Sequence, residues 1–161
     1  WILFLLVVMQ FVTAWSGEDL PDESAEKLTL VTRHISFGFT ILLLTIVRIL
    51  WRLGNPTPTP PAGTRIETLV AQATLGLLYL LLLVIPLSGW VMSSGHGDPV
   101  AWFGTALPAV VQEGSALGQP AHEAHELLGW VLLALVAVHV LAALKHHFVA
   151  RNDVLRRMLP W

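Results

Sequence analysis

Hydrophobic and polar positions along the chain fall into four apolar blocks separated by polar or proline- and glycine-rich segments. The first block runs from Trp1 to Trp15 and the second from about Ile35 to Leu53, with His34 at its mouth. The third runs from about Leu69 to Met92 and the fourth from about Leu127 to Val149. A bilayer core of about 30 Å takes about 20 residues of helix, so blocks two to four are each long enough to cross it. The first block has 15 residues, about 22 Å of helix. It reads as a helix whose first turns lie upstream of Trp1, or alternatively as the apolar core of a signal peptide, although no basic stretch precedes it. The pattern predicts one domain over residues 1–161, with helices at about 1–15, 34–53, 69–92 and 124–149. This is an all-α, integral membrane, antiparallel four-helix bundle.

The segments between the blocks differ in charge. Glu18, Asp19, Asp22, Glu23 and Glu26, with Lys27 and Arg33, separate blocks one and two, and residues 93–126 contain Asp98, Glu113, Glu123 and Glu126 but no Lys or Arg. The opposite ends of the blocks carry Arg48, Arg52, Arg65, Lys145, Arg151, Arg156 and Arg157. Basic residues concentrate on the cytoplasmic side of a membrane, so both termini are expected there. NPTPTPPAG, residues 55–63, reads as a semi-rigid connection on that side. Pro86 and Gly89 inside the third block suggest a kink or a close helix contact.

Composition agrees with a membrane protein. Apolar residues make up 55% of the chain and charged ones 12%, and the mean hydropathy is +0.68. A net charge of −2 without a basic patch argues against nucleic acid as a partner. The absence of cysteine excludes disulfides, thiolate metal sites and covalent haem attachment.

Histidines in the apolar blocks need a physical explanation, because a polar ring in hydrocarbon is costly without a partner. His125 and His139 are 14 residues apart, so they differ by only about 40° around the helix and about 21 Å along it. One lies near the outer surface and the other deep inside, on one face. His34 enters the second block at the same depth as His125. Gly38 follows His34 by four residues, Gly129 follows His125 and Ala143 follows His139. A small residue one turn on leaves room for a flat macrocycle. Two neutral imidazoles from opposing helices can fill both axial positions of a haem iron, which suits electron transfer. His139 has no visible partner in the sequence, which is expected from the first helix, upstream of Trp1. Arg48, 14 residues after His34, faces the same way about 21 Å further in. It reads as a snorkelling residue or as a contact for a haem propionate or a quinone oxygen. Lys145, His146 and His147 read as an interfacial anchor, His122 as a solvated loop residue, and His96 as a residue that could lie over the outer haem.

HISFGFTILLLTIVRILWRL (residues 34–53), LYLLLLVIPLSGWVMSS (78–94) and HELLGWVLLALVAVHVLAALKHHFVARNDVLRRMLP (125–160) carry a resemblance. The chain resembles the bacterial cytochrome b561 family of di-haem membrane cytochromes, and the resemblance covers essentially its whole length. It implies two b-type haems, with His34 and His125 matching the outer ligands and His139 one inner ligand. The second inner ligand would be a histidine directly before Trp1. The resemblance also implies electron transfer in the bacterial inner membrane, surrounding lipid, and quinone as the membrane partner. Superoxide is one candidate donor, the redox partner on the outer side is otherwise unspecified, and a homodimer is one assembly seen in such proteins. A histidine that many members have near the start of the third helix is missing here, where Leu75 stands. Two other functions remain open. One is a membrane-anchor cytochrome b subunit of a dehydrogenase or hydrogenase, and the other is a haem-free transporter or channel.

Overall fold

Each helix boundary has a local cause. In the computed structural model, which describes residues 1–55 and 64–149, α1 spans Ile2–Glu18, α2 Ala25–Gly54, α3 Arg65–His96 and α4 Gly118–Phe148. Ser24 starts α2 by accepting the Lys27 N–H at 3.2 Å. Thr64 and Glu67 start α3 through a reciprocal capping box, each side chain taking a backbone N–H of the other. Gly97 stops α3 in the left-handed region, at φ 81°, where its N–H reaches the carbonyls of Ser93 and Ser94. Lys145, His146 and His147 occupy the last turn of α4, where cations complement the helix dipole.

The helices run beyond the apolar blocks. α2 begins at Ala25, α3 at Arg65, and α4 at Gly118, because capping and backbone pairing continue the helix into polar sequence outside the apolar stretch. His122 therefore lies in α4 instead of a loop, and His96 is the last residue of α3. The NPTPTPPAG segment and the basic residues Arg151, Arg156 and Arg157 lie outside the described residues, apart from Asn55.

The chain is a helical membrane bundle. α2, α3 and α4 are each long and apolar enough to cross a membrane, and α1 is a shorter apolar helix. Only 6% of the most apolar stretch of α3 or of α4 is buried inside the protein, so most of those apolar side chains lie at its surface. α1 packs along α2, α2 along α3 and α3 along α4, whereas no Cα of α4 comes within 8 Å of α1 or α2. Val7, Ile41, Leu81 and Leu132, one from each helix, form the central core. The wide seam between α4 and the α1–α2 pair is bridged by Trp15, near the end of α1, and Trp130, with ring centres 6.1 Å apart.

A two-stranded hairpin in the α3–α4 connection adds a feature to the all-helical plan. β1 (Ala101–Trp102) pairs antiparallel with β2 (Thr105–Ala106). Phe103 and Gly104 at its tip have φ of 46° and 87°, a twist suited to a two-residue hairpin turn. The hairpin is tied to α2, since the Phe103 N–H donates to the buried Ser36 Oγ and Trp102 Nε1 donates to Thr40 Oγ1, both at 3.0 Å. Phe37 packs on Phe103 and Phe39 on Trp102, with Trp90 against Phe39.

Candidate functional site

α2 and α4 bring His34 and His125 face to face across the wide seam, with ring centres 6.0 Å apart and planes at 68°. Taking a metal–imidazole bond of about 2.0–2.1 Å, as for zinc, two rings on opposite sides of one metal have centres roughly 6.3 Å apart. The observed spacing is close to that value, so His34 and His125 are the pair that would hold one metal between them. The depth match expected from spacing along α2 and α4 is realised as this direct juxtaposition.

The second nitrogen of each ring decides which nitrogen is free. His125 Nδ1 lies 2.9 Å from the Ile85 carbonyl oxygen and 3.3 Å from Ser88 Oγ. His34 Nδ1 lies 3.2 Å from the Gln10 carbonyl oxygen and 3.2 Å from Thr13 Oγ1. A carbonyl oxygen can only accept, so each Nδ1 carries the proton and donates it, and each Nε2 keeps its lone pair. Orienting a ligating imidazole through its other nitrogen is the usual support of a metal-bound histidine. The Thr13 hydroxyl spends its own proton on the carbonyls of Met9 and Gln10, at 2.9 and 3.0 Å, leaving its oxygen to accept. Pro86, one residue after Ile85, lies inside α3; lacking an N–H, it leaves the Leu82 carbonyl, one turn earlier, without its helical donor.

The glycines divide the work. A Cβ on Gly89 would lie 2.9 Å from His125 Cε1 and 3.1 Å from Nδ1, so only glycine lets α3 come this close to the ring. A Cβ on Gly38 would lie 2.8 Å from Gln10 Nε2, so the space there receives the Gln10 amide. Gln10 Oε1 is buried beside this site with no hydrogen-bond partner among the described residues. Around Gly129 nothing lies within 4 Å of an added Cβ, which leaves open space on the α4 face one turn in from His125. The residues present fit a haem that His34 and His125 would hold: two free Nε2 atoms, fixed tautomers, matched spacing and an open flank.

The deeper position is less complete. His139 is partly buried in α4, and no other histidine ring stacks with it among the described residues. Arg48 is exposed on α2, and its Nε donates to Tyr79 OH at 2.8 Å, while the Arg52 guanidinium sits 5.7 Å from the centre of the Tyr79 ring. Tyr79 thus gathers two cations on the α2–α3 face and leaves the terminal nitrogens of Arg48 for an anion or an oxygen ligand. His96 does not cover the His34–His125 pair; it stacks on His122, with ring centres 5.9 Å apart. Sequence reasoning missed Gln10, Thr13 and Ser88, whose only signal was polarity inside apolar blocks, and the Ile85 carbonyl, which has no side-chain signature at all.

The model of prokaryotic cytochrome b561 matches residues 1–161. The chain belongs to the prokaryotic cytochrome b561 family. Cytochrome b561 homolog 2 of Escherichia coli is 37% identical over 128 residues, covering 78% of this chain and 68% of the relative. The "probable superoxide oxidase CybB" of Yersinia pestis is 31% identical over 166 residues, covering 99% of this chain and 90% of the relative. Cytochrome b562 of Cereibacter sphaeroides is 34% identical over 128 residues, covering 78% of this chain and 65% of the relative. As a cytochrome b561 the protein is a membrane b-type cytochrome of electron transfer, and the paired imidazoles across the seam suit that chemistry.

Proposed function

We propose that this cytochrome holds two b haems and moves electrons between a redox partner on the outer side and the quinone pool of the bacterial inner membrane, with both termini cytoplasmic. The observation that carries the reading is the His34–His125 pair, two imidazoles with protonated, anchored Nδ1 atoms and free Nε2 atoms across one gap. His34 and His125 are the ligands of the outer haem, and His139 is one ligand of the inner haem. A haem held by His34 and His125 would supply one-electron chemistry.

The protein's own groups do the rest. The Gln10 and Ile85 carbonyls hold the ring orientation and tautomer, and Gly129 keeps the flank of the outer site clear. Trp15 and Trp130 close the seam at its outer end. Arg48, steadied by Tyr79, offers positive charge toward a propionate or a quinone oxygen at the depth of His139. Superoxide is the proposed outer donor, supported by the similarity to the Yersinia pestis relative.

The experiment is a haem count. Purified in mild detergent, the full-length protein should give two b haems per chain in a pyridine haemochrome assay, with a low-spin reduced-minus-oxidised spectrum. His125→Ala should remove the outer haem and His139→Ala the inner one. Full haem content in either variant would overturn that ligand, and a single haem in the full-length protein would overturn the two-haem carrier.

A further inference from the structure

A second pair of imidazoles meets outside the haem site. His96 ends α3 and His122 lies one turn into α4, both exposed, with ring centres 5.9 Å apart and planes at 60°. Backbone contact fixes their separation. A Cβ on Gly95 would lie 2.7 Å from Gly118 Cα, and one on Gly118 would lie 3.4 Å from the Gly95 backbone and 3.6 Å from His96 Cδ2. The two helices are therefore pressed together at the residue before His96 and at the residue one turn before His122, which shares that helix face. The Gly114 N–H donates to the Gly95 carbonyl at 2.9 Å, and the Asp98 N–H to that of Ser93 at 2.9 Å, holding the chain on both sides of His96. The surroundings favour a cation, because residues 93–126 contain Asp98, Glu113, Glu123 and Glu126 and no Lys or Arg.

We propose that His96 and His122 form a two-imidazole site for a divalent metal ion of the Zn2+ or Cu2+ type, clamping the outer ends of α3 and α4. An imidazole nitrogen binds zinc at about 2.0–2.1 Å, which puts the ion roughly 3.2 Å from each ring centre. The observed 5.9 Å between ring centres is within the reach of one ion bound by both. Imidazole is a good ligand for both metals. No group of three His, Asp or Glu among the described residues is arranged to hold a metal, so water completes the shell and the site is of modest affinity. The ion ties together the two helices that position His125, three residues after His122, and stabilises the folded state by mass action. This site is independent of the haem ligands and of the proposed electron-transfer role.

The test is Zn2+ titration by calorimetry on the haem-loaded protein, with His96→Asn and His122→Asn as variants and the haem spectrum as the check that each is folded. The expected result is one ion per chain, bound more than about tenfold more weakly in each variant, since loss of even an outer-shell partner costs that much. Affinity unchanged in either variant would overturn the proposal. Electron paramagnetic resonance of added Cu2+ on the unaltered protein gives a reading that needs no variant. Nitrogen couplings from two imidazoles support the site, and a spectrum without them removes it.

Discussion

Gly89→Ala tests the reasoning about the outer haem site most directly. The added methyl would lie 2.9 Å from His125 Cε1 and 3.1 Å from Nδ1, against the 3.4–4 Å of ordinary contact. The ring must then retreat from α3 by roughly half an ångström or more, or α3 must shift, at about 1–3 kcal/mol for an overfilled contact. Retreat moves Nδ1 away from the Ile85 carbonyl, now 2.9 Å away, and from Ser88 Oγ at 3.3 Å. Loss of that neutral hydrogen bond costs about 0.5–1.5 kcal/mol more and frees the tautomer. Because the bond orients the proposed ligand His125, outer-haem affinity should fall by about 10–100-fold. The assay is haem retention during dilution in detergent, followed by the low-spin spectrum, together with thermal melting of the haem-free form. Gly76→Ala is the control, since nothing lies within 4 Å of a Cβ there. Wild-type haem affinity and spectrum in Gly89→Ala would refute the account of His125 positioning.

Gly129→Ala should behave in the opposite way, leaving the melting of the haem-free chain unchanged or slightly raised, because its Cβ meets nothing within 4 Å, while weakening haem binding; equal haem retention would show that the macrocycle does not use this flank. Ser36→Ala removes the acceptor of the Phe103 N–H at 3.0 Å and should lower stability by about 1 kcal/mol in a melting experiment, by unpinning the hairpin. Thr13→Val removes one of two acceptors on His34 Nδ1 and should keep the haem while raising its midpoint potential in a redox titration, because a less strongly accepted Nδ1–H makes a less basic ligand. Outside the membrane, the hydrogen bond and charge of Lys27 hold the Asp22 carboxyl below its ordinary 3.8. With the folded value lowered, that contact is present above the ordinary value and is lost as pH falls through the folded one. Carbon NMR of Asp22 should show the low midpoint and its rise in Lys27→Gln.

Much of the bundle was legible because a membrane imposes a simple length rule. Stretches such as Leu127 to Val149 must be helical if they cross a bilayer, since backbone groups cannot be left unpaired in lipid. Depth was legible for the same reason, as about 1.5 Å per residue places His34 and His125 together and His139 below them. The extended helix ends were not, because Ser24, Thr64 and Gly97 act through caps that hydropathy does not register. His122 looked like a loop residue because the apolar run begins only at Leu127, whereas α4 already begins at Gly118, in polar sequence. Gly38 and Gly129 looked equivalent, each four residues after a histidine, yet Gln10 fills the space at one and nothing fills it at the other.

By itself, therefore, the sequence determined a membrane helical bundle and the heights at which its imidazoles sit, because both follow from composition and from the constant rise of one helix. Only the tertiary structure decided which nitrogen of each imidazole is free, which glycine guards a ring and which histidines meet at the surface. Those properties depend on groups from other helices, namely the Gln10 and Ile85 carbonyls, the Gly89 backbone and the Gly95–Gly118 contact. A position along one helix carries no information about the carbonyl that a neighbouring helix will bring beside it.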